Sequence, residues 1–219
     1  YGMVLVDFFR LPQVKRKQDK TIVNIPAKSI ELITQYPGGI ILSGHIGNWE
    51  YIGPSLGINN IKCAGVAQIQ RNSISNQFFN ELRRSENVKI IPVDSGSKVM
   101  IQTILDGYYL GLISDQNAGE KGTEAQFFNN SVSVPKGAAA FHLKTNTPIL
   151  VGFCILCGDY SYNLSFQELD IQGLPEKSNE IIVEINRRYS KLLEEAVREY
   201  PQQYFWFHRK WARENYKGL

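Results

Sequence analysis

The chain has 219 residues, 43% of them hydrophobic and 21% charged, a balance that suits one globular domain and excludes a disordered or collagen-like chain. A net charge of +3 is too small to argue for nucleic acid as a partner, and no DNA- or RNA-binding motif occurs. No apolar run approaches the ~20 residues needed to span a bilayer, and no secretory signal is read.

Taken in chain order, the first residue is Tyr1, and Met3-Val4-Leu5-Val6-Asp7-Phe8-Phe9 reads as an amphipathic piece. The chain is therefore expected to be a fragment that has lost its natural N-terminus. Lys15, Arg16, Lys17 and Lys20 cluster near the start, and Arg209, Lys210, Arg213 and Lys217 near the end. Such clusters suit solvated termini, an anionic membrane surface or an acidic carrier protein. Strands are predicted at 39–43, 61–67, 88–93, 110–114, 148–155 and 162–169, in runs of Ile, Val and Leu with little polar alternation. That pattern belongs to strands covered on both faces.

Helices are predicted between them. Ile74, Phe78, Phe79 and Leu82 share one face of a helix entered at Ser73 or Ser75, and Ile101, Ile104 and Leu105 mark another after Ser95-Gly96-Ser97. Pro135 opens a helix through 138–144 that carries His142, read as structural. The longest helix spans 179–200, with Ser178 as its cap and Pro201 closing it. Alternating strands and helices predict an α/β fold with a largely parallel central sheet flanked by helices.

Three cysteines do not make a disulfide framework. Cys154 and Cys157 form a C-x-x-C inside a strand-like run, where two buried strand thiols are expected rather than a redox pair. No second Cys or His pair completes a zinc site, and a reducing compartment is expected.

In an α/β sheet the ligand crevice lies outside the carboxyl ends of the strands. Two segments stand there, Gly44-His45-Ile46-Gly47-Asn48-Trp49-Glu50 after the first strand and Asp115-Gln116-Asn117-Ala118-Gly119 after the fourth. His45 emerges at a strand tip, Gly44 and Gly47 allow a tight turn, and Asn48 can cap the next helix. Glu50 then stands in that helix's first turn, where its carboxylate can reach the imidazole. A carboxylate on one ring nitrogen fixes the tautomer and leaves the other free as a base. On spacing alone, a structural His–Glu bond beside a helix cap is an equal reading.

The wider sequence resembles the bacterial lipid A late acyltransferases, the lauroyl/myristoyl transferase family. Gly44–Glu50 matches its G-H-x-G-N-W-E block; residues 78–84, Ile90-Ile91-Pro92-Val93 and Ile113-Ser114-Asp115-Gln116-Asn117 resemble its next blocks in order. Phe127-Phe128 and Pro135-Lys136-Gly137-Ala138-Ala139 follow. Tyr200-Pro201 with Trp206-Phe207-His208-Arg209-Lys210 is similar to its Y-P-x-Q-Y-x-W-x-H-R-[RK] ending. The resemblance covers nearly the whole chain and implies a single catalytic domain, 1–219, without the family's N-terminal membrane-anchoring helix. One departure concerns the family's Y-R-P-x-x-N. Here it reads Ala67-Gln68-Ile69-Gln70-Arg71-Asn72, so Gln68 stands in the arginine's place and Arg71 is the neighbour that can supply the charge.

The resemblance implies transfer of an acyl chain from an acyl carrier protein thioester to a hydroxyl of a lipid A precursor, without cofactor or metal, at the cytoplasmic face of the inner membrane. His45 is then the general base and Glu50 the residue that orients it, with no covalent acyl-enzyme and Ser43 pointing away into the sheet. Backbone N–H groups around residues 47–49 are candidate oxyanion donors. Asn48, Gln68, Arg71, Asp115, Gln116 and Arg209 are candidate substrate-binding residues. No role is assigned to His208. The same fold and pair can instead serve another lipid or glycolipid acceptor, or activate water as a thioesterase.

Overall fold

In a computed structural model of the chain, residues 2–14, 22–70 and 72–211 are described. Five central strands carry the site: β2 (Gly39–Ser43), β3 (Cys63–Ala67), β4 (Val88–Pro92), β5 (Tyr109–Ile113) and β8 (Ile149–Leu156). With β1 (Val23–Asn24) and β9 (Tyr162–Glu168) they form a seven-stranded sheet in the order β1-β9-β8-β2-β5-β3-β4. The central strands all run parallel, and β9 pairs with β8 antiparallel. All five residues of β2 are buried, as expected of a strand covered on both faces whose centre is Ile40-Ile41-Leu42.

The sheet is the middle of three layers. One face packs on helices α6 (Ser97–Leu105), α7 (Gly137–Thr145) and α8 (Ser178–Glu199), through Met100, Ile104, Phe141, Ile185, Tyr189 and Leu193 among others. The other packs on α1 (Gly2–Phe8), α2 (Leu11–Val14), α3 (Ala27–Thr34) and α4 (Ile52–Ile58), with Phe79 and Leu82 of α5 (Ser73–Arg83) against it. Odd-numbered β2 residues such as Ile41 join the second core and even-numbered ones such as Ile40 and Leu42 the first, as strand alternation dictates.

The predicted strands and helices are present, with ends displaced by a residue or two. The α5 cap is neither Ser73 nor Ser75: Asn72 caps it, its side-chain oxygen accepting from the Ser75 N–H at 2.9 Å. A second sheet was not anticipated, the hairpin of β6 (Thr123–Phe127) and β7 (Asn130–Val134). Phe128 and Asn129 make its two-residue turn, both with positive φ, as a primed hairpin turn requires. The C-x-x-C expectation is corrected in half. Cys154 is buried in β8, but β8 ends at Leu156 and Cys157 is exposed in the turn beyond it.

The N-terminal helix is tied down by a buried polar contact. Tyr51 donates its hydroxyl to the Asp7 carbonyl at 3.0 Å, Tyr162 donates to the Asp7 carboxylate, and Arg10 pairs with the same carboxylate. Among the described residues, no helix is long and apolar enough to cross a membrane.

Candidate active site

Strand register determines what meets His45. Ser43 of β2 lies opposite Ile113 of β5, and the Ser114 N–H still donates to the Ser43 carbonyl at 2.9 Å. Two residues beyond that rung, the chains leave the sheet side by side, which sets His45 against Asp115. One carboxylate oxygen of Asp115 lies 2.6 Å from His45 Nδ1, and the other accepts the His45 main-chain N–H at 3.0 Å. The carboxylate therefore holds both the ring and the backbone of the histidine, leaving Nε2 without a partner among the described residues. The Trp49 ring stands edge-on to the imidazole, with centroids 4.6 Å apart.

This corrects the expectation for Glu50. Its carboxylate is taken by Arg83, the last residue of α5, which donates Nε and Nη2 to the two oxygens at 2.8 and 2.6 Å. The physical reason is the 3₁₀ turn Trp49–Tyr51, which carries Glu50 away from the β2 tip toward α5. Glu50 and Arg83 still line the same cavity as His45. Truncation by Glu50→Ala strands a guanidinium at the cavity wall, so thermal denaturation is expected to show a loss of roughly 1–3 kcal/mol.

The turn between His45 and Glu50 is held from two sides. Gly47, at φ +61°, donates its N–H to the Gln203 carbonyl at 3.0 Å, and Asn48 donates to the Cys154 carbonyl at 2.8 Å. These two amides are committed to the fold, so they do not serve as the expected oxyanion donors. A Cβ at Gly47 would collide with the Cys154 carbonyl in a conformation that already disfavours side chains. Gly47→Ala is expected to cost roughly 3 kcal/mol or more, read as a lowered unfolding midpoint in denaturant.

A cavity of about 570 Å³ opens at these strand ends and reaches around them to both faces of the sheet. On the α4 side its wall includes Ile41, Gly65, Gly111 and Ile52; on the α6–α7 side it includes Met100 and Phe141. Gln68 and Gln116 line it, as does Asn117, whose N–H donates to His208 Nε2 at 3.3 Å. Ser43 also stands at its wall, with its hydroxyl buried.

Two expected contacts are corrected. Asn48 is fully buried and does not line the cavity, because its main-chain N–H is drawn onto the Cys154 carbonyl at the end of β8. Arg209 is exposed and outside the lining, since the chain turns there and sends the next side chain, Lys210, inward. Arg71 lies outside the described residues. Sequence reasoning missed Arg83 as the cation that reaches the cavity and Lys210 as a buried neighbour of Asp115. The first has a signal in Leu82-Arg83-Arg84 at the helix end, and the second in a lysine set among aromatic residues.

The charges are tightly balanced. Burial pushes the Asp115 carboxyl upward, but the hydrogen bonds from His45 and the charges of His45 and Lys210 outweigh it and hold it below its ordinary value. Burial pulls Lys210 down to about 8 despite the opposing charge of Asp115. Burial also lowers His208, against the charge of Asp115 and with that of His45 and Lys210. Among the described residues, no group of three His, Cys, Asp or Glu side chains is placed to hold a metal ion. Chemically, the arrangement is an acceptor-held imidazole facing a mostly apolar cavity, suited to taking a proton from a hydroxyl or a water.

A family model described as bacterial lipid A biosynthesis acyltransferase matches residues 1–213. Among solved structures, the chain is similar to the crystal structure of the 1-acyl-sn-glycerophosphate (LPA) acyltransferase, PlsC, from Thermotoga maritima. The match has 15% identity and a TM-score of 0.50, and covers 93% of this chain and 89% of that one, which shows a shared fold. No curated protein matches.

Proposed function

Because the chain belongs to the bacterial lipid A biosynthesis acyltransferase family, we propose that it moves a fatty acyl chain from an acyl carrier protein thioester to a hydroxyl of a lipid A precursor. The observation that carries this reading is the His45–Asp115 pair at two adjoining strand ends, opening on the cavity. In the proposed step, His45 Nε2 takes the acceptor hydroxyl's proton as its oxygen attacks the thioester carbonyl. The carbon–sulfur bond then breaks, and the departing thiolate takes the proton back from the imidazolium. Asp115 stays ionised, holds Nδ1–H and stabilises the imidazolium while it lasts.

Glu50 enters this scheme as the carboxylate that fixes Arg83 at the cavity wall. Arg83, Gln68 and Gln116 are the proposed acceptor contacts, with Arg83 taking the place of the charge that Gln68 lacks. The acyl chain occupies the apolar walls, whose volume falls in the usual range for ligand pockets. Exposed apolar side chains support a membrane-facing edge at the cytoplasmic face of the inner membrane. Val6 on α1, Phe9 in the turn after it, and Ile74 and Phe78 on α5 are exposed, and the Phe9 and Phe78 rings lie 6.1 Å apart. On this reading the chain works as one catalytic domain.

The test is incubation of the protein with an acyl carrier protein thioester and a panel of lipid acceptors, read by mass spectrometry. An acylated lipid A precursor is expected. Acylation of a different lipid in preference would move the acceptor, and release of free fatty acid at a rate indifferent to any acceptor would make the protein a thioesterase.

A further inference from the structure

Lys210 is used by no step of that chemistry, yet its side chain is buried beside the pair that performs it. Its Nζ donates to the Asp115 main-chain carbonyl at 2.6 Å and sits 4.4 Å from the centroid of the Phe127 ring. Its hydrogen-bond acceptor is a carbonyl rather than a carboxylate, so the ion is taken from water without a direct salt bridge among the described residues, which is a costly arrangement. The neighbouring Phe207 and Arg209 point outward, so the segment is able to solvate its side chains here. The same segment braces the other member of the pair. The Phe205 N–H donates to the His45 carbonyl at 2.8 Å, and Tyr204 bridges to Ile46.

We infer that Lys210 is a positioning residue for the His45–Asp115 pair, its ammonium fixing the Asp115 main chain and balancing the carboxylate's charge. The inference rests on the reading of that pair as catalytic. The titratable groups around Lys210 are Asp115 at the end of β5, His45 at the end of β2, His208 on its own segment, and Tyr189 and Tyr204 near Asp115. A fixed positive charge here offsets part of the Asp115 carboxylate's charge, and the Nζ hydrogen bond fixes the main chain from which that carboxylate reaches His45. Burial holds Lys210 near 8, so its own charge persists at neutral pH.

The experiment compares the full chain with Lys210→Met and Lys210→Arg by three measurements. The ring-nitrogen NMR shifts of His45 report its tautomer, the chain having three histidines and His45→Ala giving the assignment; kcat and KM are measured for acyl transfer; and the melting temperature is recorded at neutral pH. In Lys210→Met the tautomer with the proton on Nδ1 is expected to lose its predominance. Its kcat is expected to fall by about tenfold or more with KM little changed, and the melting temperature to hold or rise, because a buried charge has been removed. Lys210→Arg is expected to keep the wild-type tautomer. An unchanged tautomer with kcat within about twofold of wild type overturns the inference. So does a lowered melting temperature without a change of tautomer, which would make Lys210 a structural residue only. If the wild type transfers no acyl chain but the tautomer still changes, the proposed function fails and the positioning role stands.

Discussion

Asp115→Asn is expected to lower kcat for acyl transfer by roughly 10²–10⁴-fold while changing KM far less. The reason lies in the count of acceptors. In the native site, both carboxylate oxygens accept from His45, one from the ring Nδ1 and one from the main-chain N–H. An amide has only one acceptor. If its oxygen stays on the main-chain N–H, its NH₂ faces Nδ1, forces Nδ1 to accept, and leaves the proton on Nε2, where it blocks the base. The opposite flip sets NH₂ against the main-chain N–H. Either way the histidine loses the tautomer or the position that catalysis needs.

The same residue gives the fold a pH signature. Asp115 is held below its ordinary value of 3.8, so it contributes stability that is fully present above that pH. The contribution is lost as pH falls through the lower value of the folded state. Acid denaturation of Asp115→Asn is therefore expected to be shallower than wild type below about pH 4, read by circular dichroism across a pH series.

His45→Ala is expected to remove roughly the same 10²–10⁴-fold from kcat, because a positioned base supplies about that much and no other free imidazole reaches the spot. His208, the nearest second histidine, is engaged with the Asn117 N–H through Nε2. The variant should still bind acyl donor, since the apolar walls of the cavity are untouched, so KM is expected to stay within about threefold. The truncation also leaves Asp115 buried without its imidazole. His45→Gln keeps a donor for that carboxylate, and its equal loss of kcat with a recovered melting temperature would assign the defect to chemistry rather than folding.

How far the sequence carried these conclusions differs between elements. The buried parallel strands were legible because 40–42 and 149–155 are apolar runs, and a strand covered on both faces needs that and little else. The β6–β7 hairpin was not, because its turn falls on Phe128 and Asn129, outside the Asn-Gly and Asp-Gly pairs that announce such turns. His45 was found by its place at a strand tip. Its partner was misread because five residues of separation suggested a local contact with Glu50, whereas the contact is set by the β2–β5 register, which joins residues 70 apart. Nearness along the chain and nearness across a parallel sheet are different quantities, and only the second is set by strand order. Arg83 and Lys210 were hidden for the same reason, each reaching the site from a distant element. The site was thus legible in its histidine and in the strand ends that carry it, and illegible in its pairings.

In the proposed mechanism Asp115, and not Glu50, orients the base. This is tested most directly by measuring kcat for acyl transfer in Asp115→Asn and Glu50→Gln side by side. Glu50→Gln keeps an acceptor for Arg83 and leaves the His45–Asp115 bonds intact. The predicted result is a loss in Asp115→Asn at least about tenfold larger than in Glu50→Gln. Equal losses, or a larger one in Glu50→Gln, would contradict it.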